Sequence, residues 1–155
     1  MPNAAPTTTP APTAVGPTRD QDKSPVEVSV IIACYNGADT LGEQLESLAA
    51  QTWSGTWELI VADNGSTDDS VAVAAQYQDV LPLTIIDAGQ KQGQSYAYNQ
   101  AVAVSSGPLL LFCDADDVMH PGYVEAMVEA LRTYPYVGGH ERHDKINAKW
   151  LQARA

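Results

Sequence analysis

Apolar and polar positions alternate along this chain in blocks that change period from strand-like to helical and back. Residues 28–34 (VSVIIAC) form an unbroken, β-branched run, the pattern of a strand buried on both faces. Thr40 and Glu43 then carry a capping-box spacing, and Leu41, Leu45, Leu48 and Ala49 recur at helical intervals. A second strand is predicted over 57–62 (WELIVA). Ser66, Thr67, Asp68 and Asp69 supply cap and first-turn residues for a helix reaching Tyr77. A short third strand covers 83–87, and a third helix runs from Gln94 to Val104 behind Gly89 and Gly93. Leu109 to Cys113 is a fourth apolar strand. Pro121, suited to a first helical position, opens a helix with Tyr123, Val124, Met127, Val128 and Leu131 on one side.

Four βα units in series predict an α/β domain with a parallel, helix-covered sheet. Ligands of such sheets bind beyond the carboxyl ends of the strands. That rule gathers three polar clusters on one edge: Tyr35-Asn36-Gly37, Asp63-Asn64-Gly65-Ser66 and Asp114-Ala115-Asp116-Asp117. The remaining segments are of a different kind. Residues 1–25 hold six of the ten prolines, with much Thr and Ala, and read as a disordered arm. The domain is bounded at 26–137, and 138–155 form a mixed-charge tail with helical potential. His140 and His143 in that tail read as surface residues rather than metal ligands.

Charge narrows the chemistry. The chain has 155 residues and a formal net charge of −11, and residues 26–137 carry fifteen acids against only Lys91 and Arg132. Nucleic acids and anionic membranes demand a basic footprint that is missing here. No stretch approaches the ~18 apolar residues of a spanning helix, and the N-terminus lacks the apolar core of a signal peptide. Cys34 and Cys113 sit inside apolar runs and are expected to be buried free thiols of a reducing, cytoplasmic compartment.

Three carboxylates in four residues, directly after the apolar run LLLFC, repel one another unless something positive compensates them. A divalent cation, Mn²⁺ or Mg²⁺, held by one or two carboxylates together with ligand phosphates answers that need. Asp117 can equally cap the following helix. Asn64 to Asp69 are explained by turn and cap chemistry, which leaves Asp63 free to accept hydrogen bonds from a ligand. Tyr35 either packs or stacks on a base.

Four segments in register carry a resemblance. VSVIIACYN at 28–36, LIVADNGSTD at 59–68, GQSYAYN at 93–99 and LLFCDADD at 110–117 look like the nucleotide-binding half of the family 2 glycosyltransferases. The resemblance implies a GT-A (Rossmann-like) fold, a nucleotide-diphospho sugar donor, a divalent metal and an inverting transfer to an acceptor it does not identify. Carried over by position, Ala33 and Tyr35 line the nucleobase pocket and Asp63 reads the base edge. Asp114 contacts the ribose or sugar, Ala115 counts among the donor-binding residues, and Asp116, with Asp114 beside it, ligates the metal. Gly93 and Asn99 border the diphosphate-sugar region. Two departures stand out. Tyr98 occupies the place of an arginine usual in the family; Lys91 is a candidate substitute but reads better as a solvated loop lysine. Family members also continue for about a hundred residues past the Asp cluster, so the chain is expected to stop short of the acceptor half and its general base to lie beyond Ala155. The competing readings are a non-catalytic nucleotide-sugar-binding module and a different α/β enzyme using the Asp cluster for phosphoryl transfer.

Overall fold

A computed structural model describes residues 25–139. The arm before Pro25, most of the C-terminal tail, and with it His140 and His143, lie outside the described residues. The strands are β1 (Val28–Cys34), β2 (Trp57–Asp63), β3 (Leu83–Asp87) and β4 (Leu109–Asp114). The helices are α1 (Ala38–Ala49), α2 (Ser70–Ala75), α3 (Gln94–Val104) and α4 (Tyr123–Thr133). All strand pairs are parallel, in the order β3-β2-β1-β4.

That order explains the layering. The chain moves outward from β1 to β3 and then returns to add β4 on the far side of β1. Right-handed crossovers run in opposite directions therefore lie on opposite faces. Helices α1, α2 and α4 share one face, where Val28, Val30, Ile32 and Cys34 of β1 pack with Leu41, Leu45, Leu48, Ala74, Val124 and Val128. Among the described residues helix α3 alone covers the other, where Ile31, Ile60 and Ile86 meet Ala97 and Ala101. Central strand β1 feeds both clusters, which accounts for its continuous apolar run. The alanines at positions 97 and 101 let α3 lie close to the sheet. No helix among the described residues is long and apolar enough to cross a membrane.

The strand boundaries match the sequence reading to within a residue, whereas three helix starts differ. Helix α4 begins at Tyr123, and Pro121, expected at its first position, lies in the turn before it. Helix α1 begins at Ala38, ahead of Thr40, and no side chain of its own caps it. Thr40 lies inside the helix, its hydroxyl 3.4 Å from the Gly37 carbonyl oxygen. The cap comes from the loop after β2. Ser66 Oγ accepts the Asn36 N–H (2.9 Å), Ser70 Oγ the Gly37 N–H (2.8 Å) and Asp68 Oδ2 the Ala38 N–H (3.0 Å). In return Asn36 Oδ1 accepts the Thr67 N–H at 2.7 Å. Residues predicted to cap α2 thus serve α1, with Asp68 Oδ1 also accepting the Ser70 N–H (3.0 Å) at the start of α2, and α2 shortens to Ser70–Ala75.

Candidate functional site

The carboxyl ends of β1, β2 and β4 and the start of α3 enclose one open cleft. It has a volume of about 560 Å³, within the ~300–1,000 Å³ range of small-molecule sites. Its wall is contributed by Ala33 to Asn36 and Thr40 around the end of β1, Asn64 after β2, Gln92 to Gln94 at the start of α3, and Asp114 to Asp116 after β4. Among the described residues, no lysine or arginine is on that wall.

Six of the residues singled out from sequence stand on it: Ala33, Tyr35, Gly93, Asp114, Ala115 and Asp116. Tyr35 is 52% exposed, its ring uncovered at the cleft. It is followed by Asn36 in the left-handed region (φ 51°), a conformation asparagine tolerates better than most side chains. Asp63 and Asn99 lie off the wall. Asp63 ends β2, and its carboxylate accepts the Ser66 N–H at 3.2 Å. Asn99 is exposed on α3.

Asn64, read from sequence as turn chemistry, is 4% exposed and forms the back of the cleft. Its Nδ2 donates to the carbonyl oxygens of Ala88 (2.6 Å) and Lys91 (2.8 Å), and its Oδ1 accepts the Gly93 N–H (2.6 Å). These bonds hold the loop that leads into α3. Gly93 has φ 133°, a conformation closed to ordinary side chains, although a Cβ there would meet nothing within 4 Å. The glycine is required by the backbone rather than by lack of space.

The segment after β4 is pinned to the end of α1. Met119 N–H donates to Ser47 Oγ (3.0 Å), Gln51 Nε2 donates to the His120 carbonyl (2.9 Å), and Thr52 N–H donates to the Pro121 carbonyl (2.9 Å). Gln51 Oε1 also accepts the Val124 N–H at 3.0 Å, at the start of α4. Both ends of the acidic segment are therefore anchored, by β4 before it and by α1 after it.

Within that segment the two wall carboxylates differ. Asp114 Oδ1 accepts hydrogen bonds from Gln94 Nε2 (2.7 Å) and Tyr98 Oη (3.0 Å). The tyrosine in the arginine's place is thus a neutral partner of the first aspartate. Burial, and then the neighbouring Asp114 carboxylate, push the Tyr98 hydroxyl pKa well up, so it stays protonated and donates. Asp116 is exposed and has no hydrogen-bond partner among the described residues. Burial likewise pushes the Cys113 thiol up to about 12 and raises that of Cys34, which leaves both as neutral packing groups. Lys91 is exposed on its loop and off the wall.

No three His, Cys, Asp or Glu side chains converge as a metal cage among the described residues. A hard divalent ion in general needs only one or two carboxylates, completing its shell with water and phosphate oxygens, and the wall carries two.

Comparison with known proteins decides the family. The model for Glycosyl transferase family 2 matches residues 29–154. The chain belongs to this family. A glycosyltransferase of Nostoc sp., itself uncharacterized, is 40% identical over 114 residues, 73% of this chain and 35% of its own length. The chain therefore spans about a third of that relative. Among solved structures, TarS of S. aureus in complex with UDP superposes with a TM-score of 0.64 at 27% identity, over 69% of this chain and 32% of that one. Glucosyl-3-phosphoglycerate synthase of Mycobacterium tuberculosis, in complex with Mn²⁺, UDP and glucosyl-3-phosphoglycerate, gives 0.60 at 27%, over 70% and 40%. The parallel sheet with its flanking helices is the GT-A fold, of which the described residues form part.

Proposed function

We propose that the cleft binds a nucleotide-diphospho sugar together with Mn²⁺ or Mg²⁺, and that it forms the donor side of a glycosyltransferase delivering the sugar to an acceptor. One observation carries this reading: among the described residues, the wall holds two carboxylates and no cationic side chain. A diphosphate placed against such a wall is repelled unless a divalent cation stands between them.

Asp116, exposed and without a hydrogen-bond partner among the described residues, is the residue to hold that ion, with Asp114 beside it. The bound metal supplies Lewis-acid stabilisation of the departing nucleoside diphosphate. The chain's own side chains position the donor. Tyr35 offers a ring face to the base over Ala33, and Asp63 keeps acceptor capacity for the base edge beyond the Ser66 N–H. The Gly93 turn lets the diphosphate approach the start of α3, where uncapped N–H groups and the helix dipole favour negative charge. Ala115 leaves room between the aspartates for the ribose or sugar.

Glu125 and Glu129 lie on α4, off the wall. The base that deprotonates the acceptor is accordingly assigned to residues outside those described, in keeping with a relative of which this chain covers 35%. The buried free thiols favour a reducing, cytoplasmic setting.

Titration calorimetry of the 155-residue chain with UDP-, GDP- and dTDP-sugars, in Mn²⁺ and in EDTA, tests the reading. One nucleotide class should bind in Mn²⁺ and weaken at least tenfold in EDTA. Failure of all three to bind in Mn²⁺ overturns the proposal. Donor binding without sugar release, even with acceptor-side chains supplied, would favour a non-catalytic binding module.

A further inference from the structure

Resting on that donor-binding reading, we propose that Gln94 and Tyr98 are the positioning residues of the Asp114 carboxylate, holding Oδ1 so that Oδ2 is presented to a hydroxyl of the bound nucleotide sugar. Gln94 and Tyr98 are four residues apart on α3 and so lie on one side of the helix. Their polar ends converge on one oxygen: Gln94 Nε2 is 2.7 Å and Tyr98 Oη 3.0 Å from Asp114 Oδ1, and 3.4 Å from each other. The Tyr98 ring is itself fixed, meeting Phe112 edge-on at 5.0 Å with an interplanar angle of 68°. It packs against the apolar cluster beneath α3. The residue carrying the carboxylate is tied too, since the Asp114 N–H donates to Asp117 Oδ2 at 3.2 Å.

Two donors on one oxygen stop the carboxylate from swinging and leave the lone pairs of the other free to accept. Both donors are neutral, so the carboxylate is oriented without a cation to compete for a ligand hydroxyl. Stability gives little reason for the arrangement, because Gln94 and Asp114 are exposed and polar contacts in water are worth little. Its place on the cleft wall gives a better one. It also divides labour, leaving Asp116 as the ion's principal side-chain ligand.

The test is a double-mutant cycle on the full chain, read by calorimetry in saturating Mn²⁺ with UDP-GlcNAc, GDP-mannose and dTDP-glucose. Tyr98→Phe keeps the ring and removes only the hydroxyl, while Gln94→Ala changes an exposed residue and guards against a folding defect in the first variant. Each should weaken the bound sugar nucleotide about fivefold, the scale of one lost hydrogen bond to a charged group. Asp114→Ala should weaken it more, and adding Tyr98→Phe to Asp114→Ala should cost nothing further. The Mn²⁺ concentration giving half-maximal binding should not move in Tyr98→Phe or Gln94→Ala. The proposal is overturned if both single variants bind like the parent, or if Tyr98→Phe weakens binding equally with and without Asp114. A parent chain that binds none of the three donors in Mn²⁺ refutes the donor-binding reading itself, and this inference with it. Parent binding with indifferent variants refutes the inference alone.

Discussion

Asn64 exchanges three hydrogen bonds with the backbone of the 88–93 loop and so shapes the wall on which Gln92 and Gly93 stand. Replacing it with alanine strips partners from two carbonyls and one N–H in a largely buried setting, which should cost about 2–3 kcal/mol. Urea denaturation of Asn64→Ala should show a lower midpoint at unchanged slope. An unchanged midpoint would mean that water replaces the side chain without loss. The sequence locates this residue but not its job. Asparagine before glycine satisfies turn chemistry locally, and its real partners lie 24 to 29 residues away. Asp114, Asp116 and Tyr35 were legible because they follow apolar strands directly, and a parallel sheet brings strand ends to one edge. The tie from Gln94 and Tyr98 to Asp114 was hidden for the same reason as the Asn64 bonds. Spacing within α3 shows that the two side chains share a face, but not which strand end they meet.

Among the elements, strands were read more closely than helix starts. A strand buried on both faces writes its bounds as an apolar run, as β1 and the middle of β2 do. A helix start is written by its cap, and here the cap of α1 comes from another loop, through Ser66, Asp68 and Ser70. Thr40 and Glu43 have the spacing of a capping box, but three backbone N–H groups find acceptors across the cleft's outer edge instead. Asp68 is the charged member of this set. Its hydrogen bonds to Ser70 and then to the Ala38 N–H hold its pKa below the ordinary 3.8. A carboxylate with a depressed folded-state pKa stabilises the fold above its unfolded value and loses that contribution as pH falls through the folded one. Acidification from pH ~5 to ~3 should therefore unsettle the parent chain more than Asp68→Asn, as read from denaturation midpoints along the pH series. Identical pH slopes for the two would show that the loop-to-loop cap does not depend on the charge.

At the scale of the molecule, the acidic excess and the family assignment point the same way. Residues 26–137 carry a net charge of −13, from fifteen acids and two bases, and among the described residues the cleft wall has no cationic side chain. The family model runs from residue 29 to 154, while the chain covers 35% of its Nostoc relative, so the donor side is what this sequence represents best. The account stands or falls on whether a metal on Asp116 joins the acidic wall to a diphosphate. The direct measurement is calorimetric titration of the parent chain and Asp116→Ala with the preferred nucleotide sugar, each in Mn²⁺ and in EDTA. The parent should bind about 10- to 100-fold more tightly in Mn²⁺, the scale of a lost charge-assisted contact, and Asp116→Ala should bind alike in both. Metal-independent binding by the parent, or an intact Mn²⁺ effect in Asp116→Ala, would contradict it.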